Sequence, residues 1–154
     1  MSRLAHLSMI LKWSRTVSEL SKILKDATRK ITGAKHRHRL FFLPDPNGVQ
    51  VEFGNGRKQY VSVIPQGEQC RMTSVVIGSG RVERLKRTEV LLKAWERNRE
   101  MNVVNFGLDK QGRLIGSIEH PIDNLQSVEL ASYIELLASE CDRFEYLLSG
   151  HDIQ

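Results

Sequence analysis

What the chain lacks narrows it first. It has two cysteines in 154 residues, Cys70 and Cys141, with no C-x-x-C pair. That excludes a disulfide framework and points to a reducing compartment in which thiols are packing material. No apolar run approaches the roughly 20 residues that a membrane span needs. The N-terminal run from Leu4 to Leu11 is broken by His6 and Ser8, and no small-x-small cleavage site follows before Lys12-Trp13-Ser14-Arg15. Residues 1–13 therefore read as a leading arm or short helix, not an export signal. A cytoplasmic location without a membrane partner is expected. G-x-S-x-G, P-loop, G-x-G-x-x-G and H-E-x-x-H motifs are missing, as are repeats, low-complexity tracts and linkers.

The length fits one domain, and about 150 residues can bury a core without staples. Net charge is +5 and the pI about 9.4, which suits weak attraction to polyanions without establishing it.

Periodicity sets the elements. From residue 14 to 32, Val17, Leu20, Leu24, Ala27 and Ile31 step by three and four, the stripe of an amphipathic helix. Ser14 or Thr16 is placed to cap it and Gly33 to end it. Between 38 and 77 the runs RLFFLP, GVQVEF, KQYVSVIP and MTSVVIG are separated by turn residues such as Gly54-Asn55-Gly56 and Pro65-Gln66-Gly67. Val49, Val51 and Phe53 alternate with Gln50 and Glu52, which means an antiparallel sheet covered on one side. Residues 81–101 read as one helix, with Val82, Leu85, Leu92 and Trp95 on one face and Val90, Leu91 and Ala94 broadening it. So broad an apolar surface must touch two things, the sheet and a second subunit. A hairpin over 103–120 turns at Asp109–Gly112, and Pro121 ends its second strand. A last helix over about 125–148 carries Leu130, Ile134, Leu137, Cys141 and Leu148 on one face, with Asp123, Asn124 or Ser127 as caps.

The expectation is one α+β domain over 14–150, a single antiparallel sheet with helices packed on it, in the order α-β-β-β(-β)-α-β-β-α. From Leu91 to Leu148 the chain resembles the bacterial YbjN family of sensory transduction regulators. The resemblance is carried by Leu91-Leu92-Lys93, Phe106-Gly107-Leu108-Asp109, Gly112-Arg113-Leu114-Ile115, Pro121-Ile122, Leu125, Ser127, Glu129-Leu130 and the Asp142 region. Ala94-Trp95 stands where that family favours Leu-Asn. YbjN proteins in turn resemble type III secretion chaperones, including Tir chaperones. The resemblance implies a cofactor-free, non-enzymatic protein that binds other proteins as a homodimer.

Two basic clusters offer an alternative. Lys35, Arg37 and Arg39, with His36 and His38 between them, suit either phosphate contact or a solvated approach to an edge strand. Arg81, Arg84, Lys86 and Arg87 are interleaved with Glu83 and Glu89, the pattern of a salt-laced helix face. A nucleic-acid-binding module would use Lys35, Arg37, Arg39, Arg81, Arg84 and Arg87. His36 and His38 share a strand face, but a metal site needs three or four ligands, and His6, Cys70, His120 and His151 have no place in one. Glu119-His120 has no nucleophile beside it, and Gly78-Ser79-Gly80 reads as a tight turn. No catalytic, cofactor or metal residue is therefore assigned. Leu85, Leu92 and Trp95 are assigned to self-association, Trp95 being of hot-spot type.

Overall fold

A computed structural model describes residues 3–31, 38–43, 47–100 and 103–150. The elements are α1 (Arg3–Ile31), β1 (His38–Leu43), β2 (Gly48–Phe53), β3 (Lys58–Gln66), β4 (Gln69–Ile77), α2 (Ser79–Arg84), α3 (Arg87–Glu100), β5 (Asn105–Leu108), β6 (Leu114–Pro121) and α4 (Ser127–Ser149). The six strands form one sheet in the order β1-β2-β3-β4-β6-β5, and every neighbouring pair is antiparallel.

Period-two alternation sends Val49, Val51, Val61, Val63, Cys70 and Met72 to one face, where all are buried. There α4 crosses β3, β4 and β6, while α1 packs on β1, β3 and α4. Leu20, Leu24 and Ala27 from α1 meet Leu130, Ile134, Leu137 and Cys141 from α4 over those strands. The helices seat closely. A Cβ at Gly116 of β6 would lie 2.6 Å from Cys141 Sγ and 3.1 Å from Leu137 and Phe106, so only glycine admits α4 at that distance.

One irregularity in β4 is met by a buried side chain. The register shifts between Val75 and Ile77, a bulge that disturbs the ladder. Gln59 Nε2 donates to the Val75 carbonyl at 2.6 Å and to Ser74 Oγ at 2.8 Å, and Ser74 Oγ donates to the Tyr60 carbonyl at 2.7 Å. A polar pair inside an apolar layer is thus consumed by backbone that the bulge exposes.

Three boundaries differ from the sequence reading. The first helix starts at Arg3, so Ser14 and Thr16 lie within it. Thr16 Oγ1 does not cap; it donates to the Lys12 carbonyl one turn back, at 2.9 Å. Nothing between Leu4 and Ser14 breaks a helix, which is why the element runs on past its core stripe. The stretch 81–101 is two helices, broken where Lys86 takes a positive φ of 66°. Leu85 closes α2 there, and its N–H reaches Arg81 O at 3.0 Å. The last helix starts at Ser127 with Gln126 before it, and Gln126 makes no side-chain cap. Asn124 instead holds a left-handed turn conformation, φ 63°. Pro121 does end β6, pairing with Gln69 at the sheet margin.

Candidate protein-binding surfaces

The orientation of α3 is fixed by what holds its inner side. Val90 and Ala94 are buried. Arg97 Nη2 lies 2.7 Å from Glu140 Oε2 of α4, with both side chains largely buried and the guanidinium 5.8 Å over the Phe144 ring. Asn98 grips the β5 backbone in both directions, donating from Nδ2 to Phe106 O at 2.9 Å and accepting from Phe106 N–H at 2.7 Å. With those residues inward, 100° per residue turns Leu91, Leu92 and Trp95 outward. Leu92 and Trp95 are 55% and 56% exposed, and the Arg99 guanidinium stacks 5.0 Å over Trp95. Exposed Val103 follows shortly after the helix. Of the three residues assigned to self-association, Leu92 and Trp95 share this surface. Leu85 does not: it lies at the α2–α3 break, half-buried against the core. Sequence periodicity grouped it with the others because it assumed one uninterrupted helix.

The second surface is the face of the sheet that α1 and α4 leave uncovered. Tyr60, Ile64 and Val75 are exposed on it, and Ile115 is half-buried. They line a concavity of about 800 Å³ with Lys58, Arg71, Lys110 and Arg113 among its other residues. Arg71 faces Glu119 at 3.8 Å, and Arg113 binds Asp109 through Nε and Nη2, each at 2.7 Å. Burial works to raise the Asp109 pKa, but hydrogen bonds from the Arg113 backbone and side chain and the Gln111 N–H outweigh it and hold the carboxyl below its ordinary value. This pairing stiffens the β5–β6 turn that forms one wall. Tyr60 lies over Gly48, where a Cβ would sit 2.2 Å from its hydroxyl oxygen.

The two sheet edges are unequal. Asn98 occupies both polar groups of Phe106 on β5, so that edge is closed to an added strand at its centre. The β1 edge carries exposed Arg39 and Phe41.

Among the described residues the basic clusters do not assemble into one patch. Lys35, His36 and Arg37 lie outside the described residues, and Arg39 is exposed on β1. Arg81 is half-buried, 3.7 Å from Glu145 and hydrogen-bonded to Ser149, so it ties α2 to α4. Arg84 and Arg87 are exposed beside Glu83 and Glu89. Arg57, which sequence reasoning passed over, pairs with Asp142 at 2.8 Å and Glu145 at 3.4 Å. The nucleic-acid alternative gains no support from this arrangement.

No chemistry gathers elsewhere among the described residues. No three His, Cys, Asp or Glu side chains converge on a point. His120 Nε2 lies 3.4 Å from Glu129, its Nδ1 lies 2.7 Å from Pro121 O, and its ring tilts against Tyr133. Burial pushes both thiols up to about 12, so neither is a ready nucleophile. No helix is long and apolar enough to cross a membrane among the described residues.

No protein-family model and no curated protein sequence matches the chain. Solved structures do. The ExsC–ExsE complex matches with a TM-score of 0.56 at 14% identity, over 86% of this chain and 95% of that one. The HopA1–SchA chaperone–effector complex matches with a TM-score of 0.50 at 19% identity, over 80% and 91%. The Yersinia pestis type III secretion chaperone SycH, in complex with a fragment of YscM2, gives 0.46 at 12% identity over 79% and 96%. The first two of these show the fold: a type III secretion chaperone-like α+β fold.

Proposed function

We propose that this chain is a non-enzymatic, chaperone-like or regulatory domain that binds a protein partner and acts as a homodimer. The observation that carries the reading is the outer side of α3, where Leu91, Leu92 and Trp95 stay exposed although ion pair, amide grip and buried face hold the helix firmly. A large apolar surface kept open on a rigid element is the usual mark of a protein interface. The similar solved structures are themselves complexes with protein partners, which supports a partner of the same class here. Leu92 and Trp95 carry self-association, while Leu85 supports the turn beneath them. The partner takes the uncovered sheet face: an extended or helical segment presents apolar side chains to Tyr60, Ile64, Val75 and Ile115, and acidic flanks to Lys58 and Lys110. Kinship with YbjN proteins and a bacterial, cytoplasmic setting belong to the same proposal, as does the 14–150 domain.

Light scattering on the purified protein tests it. A dimer at tens of micromolar that becomes monomeric on Trp95→Glu supports the reading. A monomeric wild type, or a dimer indifferent to Trp95→Glu and Leu92→Glu together, overturns it.

A further inference from the structure

The half of α1 that precedes the core carries a surface unrelated to either site above. Every residue from Leu4 to Arg15 is exposed, and the first fully buried side chain of the helix is Leu20. At 1.5 Å per residue these twelve residues make an overhang about 18 Å long. Met9 and Trp13 prolong the core-facing side. A different side holds the regular pattern. Leu4, Leu7, Leu11, Arg15, Ser18, Lys22, Lys25 and Arg29 recur every three or four residues, and all are exposed. This one stripe is apolar at its N-terminal end and cationic beyond it, with no carboxylate on it. Glu19 and Asp26 lie along its flank. The sequence from Arg3 to Ser18 contains three cationic residues and no Asp or Glu. Lys12, on the side away from Leu7, reaches Glu68 at the β3–β4 turn, 3.1 Å away, which leaves the leucines facing outward.

We propose that α1 docks the protein on an anionic lipid surface, with Leu4, Leu7 and Leu11 entering the headgroup boundary and Arg15 and Lys22 lying over the headgroups. A helix that turns leucines and cations to the same anionic surface is held there by buried apolar area and by attraction to the headgroups, without spanning the bilayer. The order of the stripe decides the occupant. Two copies paired parallel along it place cation on cation, and antiparallel copies match leucine to leucine only over residues 4–11, about 12 Å of helix, too short to supply the roughly 800 Å² per partner that a stable dimer buries. A protein partner would have to supply both a deep groove for a convex helix and an acidic strip beyond it. An anionic bilayer supplies an apolar layer and negative charge together.

Co-sedimentation with vesicles of phosphatidylcholine alone, and of phosphatidylcholine with phosphatidylglycerol, tests the proposal over a salt series. The protein sediments with the phosphatidylglycerol vesicles, and added salt weakens the binding because the charges are exposed. Leu7→Glu with Leu11→Glu lowers vesicle affinity about tenfold or more. Arg15→Glu with Lys22→Glu steepens the loss on anionic vesicles only. These positions are exposed, so the melting temperature and the light-scattering mass are unchanged, which separates this outcome from failure of the dimer. Three outcomes overturn the proposal: no binding to phosphatidylglycerol vesicles, equal binding to both vesicle types, or binding untouched by the leucine substitutions. Capture of an acidic protein that requires Leu7 and Leu11, with no vesicle binding, assigns the helix to a protein partner and equally overturns it.

Discussion

Gly116 and Gly48 both lie under a neighbour that a methyl group would strike. At Gly116 the obstruction is Cys141 on a buried helix; at Gly48 it is the outer end of Tyr60, on an open face. Gly116→Ala is expected to destabilise by about 1–3 kcal/mol in urea denaturation. Gln59→Leu removes the only side-chain donor seen at the Val75 carbonyl among the described residues, and is expected to cost about 1–3 kcal/mol by the same assay. The thiols give a pH signature. Both Cys70 and Cys141 are raised from 9.0 to about 12 in the folded chain. The unfolded chain therefore releases these protons first as pH rises. Their contribution to stability is intact below pH 9.0 and is lost toward 12. Urea midpoints that fall over this range in the wild type, and fall less in Cys70→Ala with Cys141→Ala, check the sign.

Among the elements, the pair α2–α3 shows how one residue redirects a surface. Lys86 carries a positive φ, a conformation that strains any side chain bearing a Cβ. Lys86→Gly is expected to raise stability by up to about 1 kcal/mol, read as a higher melting temperature, with the light-scattering mass unchanged. The β5–β6 turn offers a second case. Asp109 accepts from Gln111 N–H and Arg113 N–H, each at 2.9 Å, and from the Arg113 guanidinium. Its lowered pKa means that its contribution is present above the ordinary carboxylate range and is lost as pH falls through the folded value. Asp109→Asn should make hydrogen exchange of the Leu108 to Leu114 segment faster at neutral pH and should shrink the gap from wild type in strong acid. The two turns differed in how far the sequence revealed them. The hairpin was legible from Asp109 to Gly112, but the α2–α3 break was not, since lysine is a good helix former.

At the scale of the whole molecule, the two proposed protein surfaces lie on different faces and should fail independently. Trp95→Glu with Leu92→Glu removes self-association without closing the sheet concavity. Val75→Glu with Ile64→Glu blocks the concavity and leaves light-scattering mass intact. Observing each loss without the other would establish two separate sites; joint loss would mean that partner binding requires the dimer.

Alternation and three-four spacing determined by themselves that this chain makes an α+β domain with a one-sided antiparallel sheet, because burial periodicity is a local property of the residues. Which residues share a surface was decided only by tertiary structure. Leu85 parted from Leu92 because a left-handed residue turned the chain between them, and Arg81 left the basic cluster because Glu145, far along the sequence, drew it in. The length of α1 was decided by the absence of any breaker before Ser14, and its bareness by the β3–β4 turn, where the sheet beneath it ends. Distances between elements depend on contacts that no short window of sequence contains.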